Sequence, residues 1–178
     1  MKFVTFILTV FILSSCADLK KGDQLAVLDG LTKTVDSIST VLIENKYEDV
    51  HQISFECLEV EKKINENYSS DTISVPFAQK LDQFKTMIAS FDVLKRQFSS
   101  IKQAATEEKS KLVSLSKDIE SASGEREKYD EFIKFESEKV LQLTKLLKQY
   151  IELRTMALNT HKNVYDEVYE FSFSFMAK

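Results

Sequence analysis

The chain has 178 residues and a formal net charge of −4, with 28 acidic residues against 24 lysines and arginines. That balance leaves no basic excess to displace phosphate counterions and argues against nucleic acid as a partner. One proline and three glycines in the whole chain exclude architectures of short strands and tight loops, which need turn residues at close intervals.

Met1 and Lys2 precede FVTFILTVFIL, Phe3 to Leu13, an uncharged run of eleven residues. Such a run matches the apolar region of a secretory signal and falls short of the ~20 residues a spanning helix needs. Leu13-Ser14-Ser15-Cys16 follows: an aliphatic residue, two small residues and a cysteine. This order resembles the lipobox of bacterial lipoproteins, a resemblance confined to the first sixteen residues. It implies cleavage before Cys16 and diacylglycerol on the Cys16 thiol, so that residues 1–15 are a signal peptide and 16–23 a lipidated tether. It implies equally a location in a bacterial cell envelope, on a membrane facing periplasm or exterior. Each buried methylene of an acyl chain contributes about 0.8 kcal/mol, and a second chain makes attachment lasting. With Cys16 acylated, Cys57 has no thiol partner within the chain. Lys20 and Lys21 then read as a solvated tether within reach of anionic headgroups.

Beyond the tether, apolar residues recur at steps of three and four, the signature of helices burying one stripe. In the first segment the stripe runs Leu25, Leu28, Leu31, Val35, Ile38, Leu42, Val50, Ile53, Cys57, Val60, Ile64, with a change of coil pitch through Lys46. This predicts one helix over about 24–68 that tolerates Gly30. The stretch NENYSSDTISVP stops it, and Ser74 with Pro76 marks the next helix start. The second segment, about 75–122, carries Phe77, Leu81, Phe84, Ile88, Phe91, Leu94, Phe98, Ile101, Ala105, Glu108, Leu112, Leu115, Ile119 and Ala122 in heptad register. The third, about 125–175, opens on the acidic turn EREKYDE and continues the stripe through Ile133, Glu136, Val140, Leu147, Tyr150, Arg154, His161 and Val168. The phase runs unbroken through Ala122, Arg126 and Tyr129, which leaves one continuous helix open. Gly124 followed by a fresh acidic turn favours a hairpin instead. The expected fold is all-α: an elongated antiparallel three-helix bundle, coiled-coil-like, over residues 24–178.

Little in these segments points to chemistry. Glu48 and His51 have the Glu-x-x-His spacing of di-iron bundles, but no second such pair accompanies them, so no metal site is expected. Cys57 and His161 fall on the stripes at one level of the bundle and read as core residues. Glu108, Glu136 and Arg154 interrupt the stripes and read as polar seam residues that set register. With no phosphate loop or nucleophile constellation, the chain is expected to be no enzyme and to need no cofactor.

The remaining signal is the end, NVYDEVYEFSFSFMAK. Beside the core stripe of Val164, Val168, Phe171 and Phe175 runs a second, Tyr165, Tyr169 and Phe173, on the adjacent face. Either it packs on the first helix, or it forms an aromatic patch at a distal tip that binds a protein. The residues assigned to partner binding are Tyr165, Tyr169, Phe173 and Phe175. The expected function is a lipid-anchored helical spacer or protein-interaction module, with membrane contact through lipid on Cys16 and homo-oligomers allowed. The alternative is a carrier of an apolar ligand or haem between the helices.

Overall fold

Stripes at steps of three and four, with almost no proline or glycine to interrupt them, produce helices wherever they run. The chain is an all-α helical bundle. In a computed structural model, residues 2–68 and 72–174 are described, with side chains from Lys20 onward, and among them there is no strand. Helix α1 spans Lys2–Glu44, α2 Glu48–Asn67, α3 Val75–Ser121 and α4 Tyr129–Phe173, with a 3-10 turn at Arg126–Lys128 leading into α4. The helices divide into two compact units, Met1–Thr40 with Gln103–Thr144, and Val41–Lys102 with Lys145–Lys178.

In the first unit α3 and α4 form the hairpin. Helix α3 closes on Ala122, which adopts a left-handed φ of 52°, while the amides of Ser123 and Ala122 donate to the carbonyls of Asp118 (2.9 Å) and Ile119 (3.2 Å). These are the two bonds of a Schellman cap, which satisfy carbonyls the helix end would otherwise orphan. The left-handed cap position therefore belongs to Ala122; Gly124, at φ 79°, turns the chain two residues later. The hydroxyl of Tyr129 donates to Asp118 O at 2.9 Å and also to Ser123 O, tying the start of α4 to the cap. Lys20 and Lys21, expected in a tether, dock on this hairpin from α1. Lys20 pairs with Asp130 at 2.7 Å, and Lys21 donates to Glu120 O at 2.8 Å, where the negative end of α3's dipole favours a cation. Asp36 pairs with Lys109 at 2.6 Å farther along, so α1 and α3 run antiparallel here. Leu28, Val35, Leu112, Ile119 and Val140 are almost fully buried, as the spacing predicts.

The second unit corrects the first stripe. Instead of one helix over 24–68, the chain leaves helical geometry at Asn45–Tyr47, between α1 and α2. No glycine or proline is responsible. The Asn45 side-chain Nδ2 donates back to Val41 O at 2.9 Å, and α4 stabilises the helix end: Tyr150 Oη donates to Asn45 O at 2.6 Å. The Arg154 guanidinium reaches Asn45 Oδ1 and the Asp49 carboxylate, both at 3.5 Å. The expected change of pitch through Lys46 is thus a break, in which Tyr47 is buried and Lys46 is exposed. Below it α2 buries Val50, Ser54, Cys57, Val60 and Ile64. Helix α3 starts at Val75 as Ser74 and Pro76 predict, with the Ala78 amide donating to Ser74 O at 2.9 Å. Phe77 meets Phe171 at 4.4 Å and Phe98 meets Tyr150 at 6.0 Å, so α3 and α4 are antiparallel in this unit too.

Candidate functional site

Helix α4 stacks the second stripe of its C-terminal end upon itself, because residues four apart lie one above the other on a helix. His161 and Tyr165 rings are 4.5 Å apart, Tyr165 and Tyr169 5.7 Å, and Tyr169 and Phe173 4.9 Å. The Lys63 ammonium of α2 sits 4.4 Å above the Phe173 ring, close enough for a cation–π attraction. The ladder divides along its length. Tyr165 is half-buried, 6.5 Å from Phe84, and burial together with Glu56 pushes its phenol up from the ordinary value. Tyr169 and Phe173 are 41% and 38% exposed. The stripe therefore divides: Tyr165 lies beside Phe84 of α3, and Tyr169 and Phe173 present ring surface to water. Phe175 lies outside the described residues, as does the side chain of Cys16. Phe171, placed on the core stripe, packs against Phe77 and lies 5.5 Å from Tyr68, while Ser172 beside it is fully buried.

Cys57 and His161 occupy the interior of the same unit. The Cys57 thiol is fully buried, and burial pushes it up to about 12, so it stays protonated and unreactive. His161 is lowered by burial, against the opposing pull of Glu56 and Asp166, and its Nε2 is buried without a hydrogen-bond partner. His51, by contrast, is exposed and packs edge-on against Tyr47 at 6.1 Å. Among the described residues no three His, Cys, Asp or Glu side chains gather as a metal site would require. An open groove of about 280 Å³ between α3 and α4 is floored by Met87, Leu153, Met156 and Ala157 and rimmed by Asp82 and Thr86.

The first unit holds a different group. Glu108 of α3, 5% exposed, faces Glu136 of α4, and the two carboxyls lie close enough to act on each other's ionisation. Oε1 of Glu108 is buried with no partner. The Lys139 ammonium lies 3.0 Å from one Glu136 oxygen and 3.3 Å from the other, and 4.1 Å over the Phe135 ring. Burial first, and then Glu136, push Glu108 up to about 7, against Lys139 and Lys111. Burial pushes Glu136 up as well, but neighbouring Glu108 and the charge of Lys139 more than reverse this and hold it low. The two residues are equidistant from Ala122, so a hairpin closing there brings them face to face. Each was visible in the sequence as an interruption of its own stripe; only the position of the turn makes them neighbours.

No protein-family model, characterised protein or solved structure matches the chain, so its function is argued from its own residues. Among the described residues no helix is long and apolar enough to cross a membrane.

Proposed function

We propose that this chain is a lipid-anchored extracytoplasmic helical module of a bacterial envelope, held to its membrane through Cys16 and serving as a spacer or protein-interaction element. Leu13-Ser14-Ser15-Cys16 supports the location. The observation that carries the interaction role is the pair Tyr169 and Phe173, stacked on each other and more than a third exposed. Aromatic rings held rigid by i,i+4 stacking bury large area on docking with little loss of side-chain freedom, which is why they are enriched at interface cores. A carrier of haem or an apolar ligand has less support, since the imidazole it would use is stacked on Tyr165.

Two measurements test the reading. Cells fed a clickable palmitate analogue should label the wild-type chain and leave Cys16→Ser unlabelled. A photo-crosslinker placed at Glu170, between the exposed rings, should trap one protein species, and Tyr169→Ser with Phe173→Ser should abolish the adduct. An unlabelled wild type removes the anchor; an adduct indifferent to both substitutions removes the docking surface. A trapped second copy of the chain would make the surface a self-association face.

A further inference from the structure

We propose that Glu108 and Glu136 form a one-proton site inside the first unit, and that filling this site on mild acidification tightens the packing of α3 on α4. Two carboxylates facing each other in a seam repel when both are ionised, so a single proton on the pair relieves the repulsion. The surroundings localise that proton. Glu136 faces Lys139 at 3.0 Å and gains from staying ionised, whereas Glu108 is the more deeply buried; one oxygen of each, Oε1 of Glu108 and Oε2 of Glu136, has no hydrogen-bond partner. The proton therefore resides on Glu108, beside Glu136, whose charge Lys139 balances. Lys111 is the other charge of α3 that acts on the pair. On α1, Asp36 is held by Lys109, the residue that follows Glu108. Near neutral pH the site begins to empty and leaves two buried negative charges against one close ammonium.

The sign follows from the proton count. The folded chain binds this proton near pH 7, the unfolded chain only near 4.5, so between those values the folded state holds more protons and gains stability as the pH falls. Below 4.5 the gain reverses, because the unfolded chain protonates both carboxyls while Glu136 stays ionised when folded.

The test compares the full chain with Glu108→Gln, which keeps the shape but cannot titrate. Denaturant unfolding between pH 7 and pH 5 should show the wild-type equilibrium shifting toward the folded state on the order of tenfold more than the variant's. Amide exchange of residues 105–112 and 133–140 should slow over the same range in the wild type alone. Infrared spectra at pH 6 should carry a protonated-carboxyl band that Glu108→Gln removes. Parallel pH profiles in the two chains, or an unchanged band, would overturn the proposal. Should Glu108→Gln fail to fold, the wild type decides alone: a protonated-carboxyl band present at pH 6 and lost by pH 8 supports the site, and its absence at pH 6 overturns it.

Discussion

The two units are built alike, each from helical segments that bury an apolar stripe, yet their interiors treat charge in opposite ways. The first buries a carboxyl pair that welcomes a proton as the pH drops. The second buries Tyr150, Cys57 and the Nε2 of His161, and burial drives each toward its neutral form: Tyr150 and Cys57 are both pushed up to about 12 and His161 is lowered. A stripe of apolar residues at steps of three and four is enough to form either seam. The one or two polar side chains placed within it decide how that seam responds to its surroundings.

The comparison breaks most readily through the cores themselves. Leu112 in the first unit and Leu94 in the second are both fully buried, and truncating either to alanine should cost about 2–5 kcal/mol by denaturant unfolding. Amide exchange read alongside should localise the loss to the mutated unit; equal loosening of both under either substitution would mean that they unfold as one body. Tyr150→Phe comes next. It removes the hydroxyl that donates to Asn45 O at the α1–α2 break and should destabilise the second unit by about 1–2 kcal/mol, the penalty for a part-buried acceptor left unsatisfied. Ala122→Gly sharpens the first unit in the other direction. At φ 52° a Cβ is strained where glycine is not, and the substitution should stabilise by about 0.5–1 kcal/mol in a thermal melt.

Two smaller effects complete the contrast. The folded chain holds His161 below its ordinary 6.5, so the unfolded chain takes the proton first and the second unit loses stability as the pH falls through 6.5. His161→Phe should flatten that loss in pH-dependent unfolding, while leaving untouched the acid-side gain ascribed to Glu108. Tyr169→Ser and Phe173→Ser, at exposed positions, should change stability by no more than about 0.5 kcal/mol each. A larger loss would return both rings to the packing of α4 on α2 and withdraw them from partner binding.

Particular residues show where the sequence was sufficient. Ser74 and Pro76 mark the start of α3, and Leu28, Val35, Phe84, Leu94, Leu112 and Val168 are buried as their spacing demands. A helix start and a buried stripe are local properties, carried by propensity and a period of 3.6 within a single segment. Lys46 shows the limit. The stripe passes over it with its period nearly intact, and neither glycine nor proline announces a stop, but the helix breaks because Tyr150 and Arg154 arrive from α4 to bond the freed Asn45 groups. The ladder was legible as a second stripe, though the division between packed Tyr165 and exposed Tyr169 and Phe173 was not.

By itself the sequence determined the all-α class, the phase of each helix and which face of each turns inward, because these follow from the order of apolar and polar residues along one element. Only the tertiary structure decided the break at Asn45–Tyr47, the cap at Ala122 and the meeting of Glu108 with Glu136. Each depends on residues far apart in the chain or on backbone angles that many sequences permit, and the energy that selects them comes from a partner on another helix.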